Sequence, residues 1–306
     1  MLALALAACG SSNTNAPAST GDSNSTPSSA PFEPVVIEHE LGSVKLDKAP
    51  ERIVVMEFSF ADALATLGVQ PVGVADDSDP GLIMDEVKDK LGSYTSVGSR
   101  YEPNIELISS LQPDLIIADL NHHKNVYEQL NGVAKTIVLN DHQADYNTML
   151  ANYEVIAKAV GKAEEGQKRL EEHNQIIEEA KGKIKNADLS ILPAVVNPKG
   201  FFAHSDHSYV GSFLTSLGFN DPVKDETPYP QLSLEQLVET NPQAVFLLPT
   251  EEVTIVNEWE KNPLWDKIDA VANGKVFTVE RRNWALSRGL IGSERIVQDL
   301  TANLGE

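Results

Sequence analysis

Between residues 146 and 185 the apolar residues return at steps of three, four or seven, and no proline interrupts the segment. Such spacing places side chains on one face of an α-helix. Gly161 breaks the pattern, since glycine costs about 1 kcal/mol inside a helix and little just past its end. We therefore predict two helices, 146–160 and 163–185. Polar residues among the apolar positions disfavour a coiled-coil seam, so we interpret the segment as a connector between two halves of the protein.

Short apolar runs on both sides of this connector alternate with helical patterns. In the first half we predict strands at 52–56, 72–75, 114–118 and 136–139, with helices at 60–67, 105–111 and 123–130. In the second half we predict strands at 191–196, 200–203, 244–248 and 276–279, with helices at 209–217, 234–239 and 293–304 and a mostly helical segment at 256–269 that Pro263 interrupts. Strands that alternate with helices indicate mostly parallel sheets covered on both faces. A hairpin at 35–46 is expected at an edge.

The two halves repeat one plan. Glu106 follows Asn104-Ile and precedes Pro113 by seven residues, and Glu235 follows Ser233-Leu and precedes Pro242 by seven. An apolar strand comes next in each case. The fold class is therefore α/β, with two Rossmann-like lobes and a ligand cleft between them. The predicted boundaries are listed here: N-terminal lobe 35–160, bridging helix 161–187, C-terminal lobe 188–306.

Net charge narrows the classes of ligand. The chain of 306 residues carries a formal charge of −21 at pH 7, which disfavours nucleic acid and anionic lipid as partners. Yet four of its seven arginines lie between residues 281 and 295. In a strongly acidic chain such a cluster is a candidate anion site, and ion pairs with some of the 45 acidic residues are the alternative.

The first residues have the pattern of a secretion signal. Residues 1–8 are almost wholly apolar, and Leu6-Ala-Ala-Cys9 resembles the lipobox of bacterial lipoproteins, in which the signal peptide is removed and the cysteine carries lipid. The composition of 10–34 is that of a disordered tether. We therefore predict part of a signal peptide at 1–8, and a lipid on Cys9 that anchors the protein to the outer face of the cytoplasmic membrane. A buried core cysteine is the alternative.

Six motifs follow one another along residues 50–300. They are Arg52-Ile-Val-Val-Met-Glu-Phe-Ser-Phe-Ala-Asp-Ala-Leu, Pro71-Val-Gly-Val-Ala-Asp-Asp, Val97-Gly-Ser-Arg100, Pro103-Asn-Ile-Glu106, Pro113-Asp-Leu-Ile-Ile-Ala and Trp284-Ala-Leu-Ser-Arg288-Gly. Each motif is weak alone, but their order and spacing resemble the iron–siderophore substrate-binding lipoproteins of ABC importers, and within them the ferric-citrate branch. The resemblance implies two lobes bridged by a long helix. It also implies a monomeric binding protein, not an enzyme, without an intrinsic cofactor; Fe(III) arrives as a chelate and passes to permease subunits.

Arginines are the first candidates for such a ligand. Ferric citrate is rich in carboxylate oxygens, and arginine pairs with carboxylate bidentately. Arg100 lies in a loop after the second predicted strand, whereas Arg282 and Arg288 follow the last strand. We therefore expect arginines from both lobes to clamp one anion. We interpret Arg281 more readily as an ion-pair partner.

Aromatic and imidazole side chains are further candidates. We expect Trp284 to form a rigid wall of the cleft. Phe58 ends the first strand, where a parallel sheet presents ligands, although a core position is the alternative. His204 and Tyr209 lie in a loop of the second lobe, as ligand contacts or as a plain polar loop. His122-His123 is expected at the surface.

Glu106 and Glu235 permit two interpretations. Each follows a predicted N-cap by two residues, where a carboxylate stabilises the helix dipole by about 0.3–1 kcal/mol. The resemblance implies in addition that one exposed glutamate on each lobe docks with arginines of the permease. Their matched positions in the repeat suit a symmetric pair of permease subunits.

Other functions are compatible with the same fold. The ligand alternatives are a catecholate or hydroxamate chelate, haem and a corrinoid, and haem needs an axial Tyr or His. An α/β enzyme is the remote alternative. The sequence contains no Gly-x-Ser-x-Gly elbow, no Gly-x-Gly-x-x-Gly fingerprint and no Cys-x-x-Cys pair, which disfavours hydrolase and reductase chemistry.

Overall fold

The computed structural model describes residues 32–184 and 188–305. The predicted signal peptide, the lipidated Cys9 and most of the predicted tether lie outside these residues. Within the two described ranges, no helix combines the length and the apolar character that a bilayer crossing requires.

An antiparallel hairpin opens the described chain. It consists of β1 (Val35–His39) and β2 (Gly42–Leu46). The N–H of Glu40, in its turn, donates to the carbonyl of Val138 at 2.9 Å. The hairpin predicted at 35–46 is therefore confirmed, and it lies against the first large sheet.

The N-terminal lobe is built on five parallel strands in the order β5-β4-β3-β6-β7. Its elements are β3 (Ile53–Val55), α1 (Phe58–Leu67), β4 (Gly73–Val74), α2 (Asp85–Leu91), β5 (Thr95–Ser96), α3 (Ile105–Ser110), β6 (Leu115–Asp119), α4 (Leu120–His123), α5 (Tyr127–Val133) and β7 (Lys135–Leu139). The central strands are buried on both faces, as a sheet between two helix layers requires. Helix α1 ends at Gly68, whose φ of 67° is the left-handed conformation that glycine adopts without strain.

Two helices connect the lobes. They are α6 (Tyr146–Ala159) and α7 (Ala163–Lys183), with Gly161 at a φ of 74° between them. Both predicted helices are confirmed. Helix α6 packs against α1, and its Tyr146 ring lies 4.7 Å from Phe213 of the second lobe, so α6 contacts both lobes.

The C-terminal lobe has the strand order β10-β9-β8-β11-β12, with β8, β11 and β12 parallel. Its elements are β8 (Ile191–Asn197), β9 (Gly200–Ala203), α8 (Tyr209–Ser216), β10 (Gln231–Leu232), α9 (Leu234–Thr240), β11 (Ala244–Pro249), α10 (Val256–Trp259), α11 (Asp269–Ala272), β12 (Val276–Thr278), a π-helical turn (Arg282–Leu286) and α12 (Leu290–Leu304). The α/β class with mostly parallel sheets is confirmed. The repeat is visible as well, because β6 and β11 occupy the same place in their sheets.

Short elements escaped prediction. Helix α2 and strands β5 and β10 are too brief, or too polar, to establish a hydrophobic period. The predicted interruption at Pro263 is present, because proline removes a backbone donor and blocks the preceding turn. Helix α10 precedes Pro263, a 3₁₀ turn at Trp265–Lys267 follows it, and α11 begins only at Asp269, the last residue of the predicted segment.

One apolar core is shared by the two lobes. The inner faces of both sheets pack on α1, α6, α7, α8 and α12, and the buried side chains form a continuous cluster that includes Leu64, Tyr153, Phe213, Phe246 and Leu300. The outer face of each sheet has a separate core. A continuous core resists relative movement of the lobes, since close-packed interiors deform little.

Candidate functional site

A cavity of about 640 Å³, including its open mouth, lies between the lobes. Its lining combines guanidinium, imidazole, phenol and apolar groups. The lining residues are Arg100, Tyr101, His142, Val195, Phe202, His204, Tyr229, Arg281, Ala285, Leu286 and Arg288. The cavity has the size and the mixed lining of a small-molecule site.

Arg100 is held by two carboxylates of its own lobe. Its Nη1 donates to Glu57 Oε2 at 3.1 Å, and its Nη2 and Nε donate to Asp77 Oδ2 at 2.8 and 3.0 Å. The guanidinium lies over the ring of Phe58, 4.2 Å from its centroid. Phe58 is itself buried and does not line the cavity. The prediction that Phe58 contacts ligand is therefore corrected: its ring supports Arg100 from behind.

Arg288 reaches from the second lobe into the first. Its Nη2 lies 2.5 Å from Asp141 Oδ2 and 3.7 Å from Glu57 Oε2, and its Nη1 donates to the His142 carbonyl at 3.2 Å. The Ser59 hydroxyl donates to the other oxygen of Asp141. Burial raises the pKa of Asp141 to about 6, against the opposing effect of the Arg288 charge.

Arg281 differs from these two arginines. It lines the cavity, and it has no carboxylate within 4.0 Å anywhere in residues 32–184 and 188–305. Its buried Nε has no hydrogen-bond partner there either. The neighbouring Arg282 points elsewhere and pairs with Asp85 at 3.2 Å on the exposed rim. The structure therefore corrects the sequence prediction: Arg281, and not Arg282, lines the cavity.

His204 is buried with both ring nitrogens lacking a hydrogen-bond partner among the described residues. Burial lowers its pKa to about 3, and the charges of Arg288 and Arg281 contribute. The imidazole is therefore neutral at pH 7, with one N–H donor and one acceptor. The sequence prediction placed His204 in the site, and the structure places it in the cavity lining.

Five rings form a row across the cleft, from Tyr101 through His122, His142 and Tyr229 to His204, which we call the ring row. Neighbouring ring centroids are 4.6, 4.7, 5.9 and 5.0 Å apart. His142 follows β7, and burial, then the charge of Arg288, lowers its pKa to about 4. Sequence reasoning missed Tyr101, His142 and Tyr229. Position after a strand was an available signal for His142, but no local pattern marked Tyr229.

Two predicted aromatic contacts lie in the core instead. Trp284 is fully buried, stacks on Phe246 with centroids 4.7 Å apart, and donates from Nε1 to Asp299 at 2.9 Å. Tyr209 is buried as well, and its hydroxyl donates to the Gly289 carbonyl at 3.1 Å. Both predictions are corrected, because burying a large aromatic surface stabilises the lobe. The ring row supplies the aromatic groups of the cleft.

The predicted surface histidines also belong to the interior. His123 is buried between the Asp119 N–H, which donates to its Nδ1, and the carbonyl of Arg100. His122 Nδ1 lies 2.7 Å from Glu57 Oε1. Burial opposes protonation of His122, but the hydrogen bond to Glu57 and the negative charges of Glu57 and Asp119 together outweigh burial and raise its pKa. The imidazole of His122 is therefore held in place beside Glu57.

Glu57, Asp119 and His122 could together surround a metal ion, because their ligand atoms lie within 4.8 Å of one another. However, Glu57 already accepts from Arg100 and His122, and Asp119 accepts the backbone N–H groups of His122, Asp141 and His142. We therefore interpret the group as a structural anchor and assign it no metal.

Glu106 and Glu235 lie far apart in sequence but in equivalent, exposed positions. Each is in the first turn of its helix, capped by Asn104 and Ser233 respectively. Both predicted N-caps are confirmed. Neither glutamate lines the cleft cavity.

Two α/β lobes that share a bridge and enclose a polar cleft define a solute-binding protein. The chain belongs to the periplasmic binding protein family, whose sequence profile matches residues 53–282. Members of this family bind and carry solutes and are not enzymes, so the prediction of a binding protein is confirmed.

Individual relatives agree with this assignment. The chain is 42% identical over 266 residues to the Fe(3+)-citrate-binding protein YfmC of Bacillus subtilis, covering 87% of this chain and 84% of that protein. It is 36% identical over 264 residues to the Fe(3+) dicitrate-binding periplasmic protein FecB of Escherichia coli, covering 86% and 88%. The crystal structure of Staphylococcus aureus SirA with staphyloferrin B superposes with a TM-score of 0.77 at 25% identity, covering 88% of this chain and 98% of that one.

Proposed function

We propose that the protein captures an anionic ferric chelate, ferric citrate in particular, and delivers it to the permease of an ABC importer. The observation that carries the proposal is a cleft cavity lined by Arg100, Arg281 and Arg288, of which Arg281 has no carboxylate partner among the described residues. Guanidinium groups match carboxylates in geometry and charge. The names of YfmC and FecB support citrate as the chelator.

Calorimetric titration tests the ligand. Purified protein would be titrated with ferric citrate, a ferric catecholate, a ferric hydroxamate and haem, each at the same ionic strength. We expect saturable binding of ferric citrate and weaker binding of the others. Binding of haem alone, or of a catecholate in preference to citrate, would contradict the proposal.

A catecholate chelate is the second candidate, and the ring row favours it. Tyr101 is 55% exposed at the cleft, where it is available to stack on an aromatic ligand. A Tyr101→Ala variant separates the two candidates. It should leave citrate affinity within about twofold, whereas loss of a stacking pair worth about 1 kcal/mol would reduce catecholate affinity roughly fivefold.

Glu106 and Glu235 are proposed as the docking residues for the permease. Their exposure and matched positions in the two lobes support this role, and because neither lines the cavity, docking can be tested separately from ligand binding. Uptake of ⁵⁵Fe-citrate would be measured in cells carrying Glu106→Ala with Glu235→Ala. We expect uptake to stop while affinity is unchanged. The control is Glu128→Ala with Glu239→Ala, which removes two other exposed glutamates, one from each lobe. Normal uptake by the first pair would refute docking there.

A lipid on Cys9 is proposed as the anchor on the extracytoplasmic side of the membrane. The lipobox-like Leu6-Ala-Ala-Cys9 supports it, as does the relative named putative ABC transporter substrate-binding lipoprotein YhfQ. The tether would then connect the anchor to the lobes, with boundaries at 35–160, 161–187 and 188–306. Labelling with a radioactive fatty acid should be lost in Cys9→Ser and kept in Ser11→Ala. Equal labelling of both variants would exclude the anchor.

A further inference from the structure

The three arginines of the cleft are unequal in available charge. Arg100 is paired with Glu57 and Asp77, and Arg288 is paired with Asp141 at 2.5 Å. Arg281 has no such carboxylate in the described part of the chain. A partly buried cation without a counter-ion is unfavourable, because its desolvation is not compensated. Arg281 is therefore the guanidinium that gains most from an added anion.

Two further side chains of the cavity lining, His204 and Arg288, have buried nitrogens without a hydrogen-bond partner among the described residues. His204 is 2% exposed, and neither Nδ1 nor Nε2 has a partner within the described ranges; the same holds for Nε of Arg288, which is 5% exposed. Buried polar atoms are nearly always hydrogen-bonded, so a cluster of buried nitrogens without partners indicates that a bound ligand supplies them. Both side chains line the cavity that Arg281 lines.

On the cleft wall of the N-terminal lobe, by contrast, the arginine N–H groups already have carboxylate partners. Glu57, Asp77 and Asp141 lie around Arg100 and the Nη2 end of Arg288, where they accept the N–H groups that face them. A second anion placed there would compete with these carboxylates and be repelled by them. The wall of the N-terminal lobe is thus neutralised from within.

We propose that a carboxylate of the bound chelate is held in a half-site of the C-terminal lobe, formed by Arg281, His204 and the Nε edge of Arg288. In this arrangement Arg281 and His204 are ligand contacts. Arg100 is a positioning residue, because its charge is already balanced by Glu57 and Asp77. The inference rests on the proposed function for its iron-loaded ligand, but the half-site itself recognises a carboxylate with or without iron.

Calorimetric titration with two probes, ferric citrate and metal-free citrate, tests the half-site. Arg281→Gln should weaken both probes by about 10-fold to 100-fold, the usual effect of removing a charge-assisted hydrogen bond. His204→Leu should weaken both by about 10-fold. Arg282→Gln is the matched control, since it removes the adjacent arginine, which does not line the cavity, and it should change affinity by less than about twofold.

The variants distinguish this inference from the proposed function. Arg281→Lys, which keeps the charge and loses the planar fork, should fall between wild type and Arg281→Gln. Circular dichroism and thermal melting would establish that every variant is folded. If wild type binds metal-free citrate and Arg281→Gln binds it more weakly, the half-site is supported, even where ferric citrate does not bind and the proposed function fails. If wild type binds either probe and Arg281→Gln binds it equally well, the half-site is refuted while the proposed function is not. If wild type binds neither probe, both are refuted.

Discussion

The N-terminal and C-terminal halves of the cleft use the same residue type for different purposes. Arg100 is enclosed by Glu57 and Asp77, stacked on Phe58 and only 3% exposed. Arg281 lines the same cavity without a carboxylate in the described ranges. The difference teaches that a count of arginines in a cleft does not measure its capacity for anions. The carboxylates around each arginine decide whether it stabilises the fold or the ligand.

Replacement of Arg100 by Gln is the strongest test of this comparison. It leaves the half-buried Asp77 without its cation and the buried Glu57 with only His122 and Arg288, and breaking a buried ion pair costs about 3–5 kcal/mol. We therefore expect a loss of this size in the free energy of unfolding, measured by urea denaturation at pH 7.5. Arg281→Gln breaks no ion pair seen in the described residues, and it should change stability by less than about 1 kcal/mol. Equal losses in the two variants would remove the distinction between the halves.

Asp62 provides a second, pH-dependent test, at a contact between the lobes. It is fully buried on α1 and accepts the N–H groups of Ile291 and Gly292 at the start of α12, at 3.3 and 3.2 Å. The contact needs Gly289, because a Cβ there would lie 2.3 Å from the Asp62 carboxyl carbon. Burial raises the pKa of Asp62 to about 7.

A carboxyl whose pKa is raised by folding stabilises the native state while it is protonated. Its contribution is complete below the pKa of about 4 of the unfolded chain and is lost as the pH rises through about 7. Relative to Asp62→Asn, wild type should therefore lose roughly 2–4 kcal/mol of unfolding free energy between pH 4.5 and pH 7.5. Urea denaturation across this range measures the difference. Parallel pH profiles of the two proteins would show that Asp62 is ionised normally.

The fold was predictable from local patterns to a greater extent than the site. Periodicity located α6 and α7 and nearly all the longer strands, because alternating helical and apolar runs encode burial directly. Arg288 and His204 were also anticipated as cleft residues. The predictions that Trp284 and Tyr209 contact the ligand were wrong, since a large aromatic residue that follows a strand packs in the core as readily as it contacts a ligand.

Side-chain direction explains the remaining errors. Arg281 and Arg282 are adjacent, and the π-helical turn that begins at Arg282 sends one into the cleft and the other to Asp85 on the rim. No pattern in a single sequence distinguishes them. The pairing of Arg100 with Asp77 likewise depends on two loops that meet only after the sheet has formed.

A smaller effect is expected from Asp141, which links the two halves through Arg288. Asp141→Asn removes a negative charge from the cleft wall and should raise the affinity for metal-free citrate by about 3-fold to 10-fold at pH 7.5. The charged and titratable groups around Asp141 are Arg288, Glu57, Asp119 and His142.

The pH dependence of this effect follows from Asp141. Because its pKa is about 6, the citrate affinity of wild type should approach that of Asp141→Asn as the pH falls to 5, where Asp141 is mostly protonated. Calorimetry on both proteins at each pH cancels the titration of citrate itself. A constant affinity ratio would contradict this assignment.

The smallest change should be in the separation of the lobes themselves. The lobes share one apolar core, Arg288 contacts carboxylates across the cleft, and the bridging α7 is tied to α12 by Arg169 and His173, which lie 2.5 and 2.8 Å from Glu294. Spin labels on cysteines introduced at the exposed Lys124 and Glu226, in a Cys9→Ser background without other cysteines, would report the distance between lobes. We expect ferric citrate to change that distance by less than about 2 Å, since pre-organised sites move little on binding. A larger closure would mean that the free protein opens the Asp141–Arg288 pair, and Arg288 would then join Arg281 as an arginine available to the ligand.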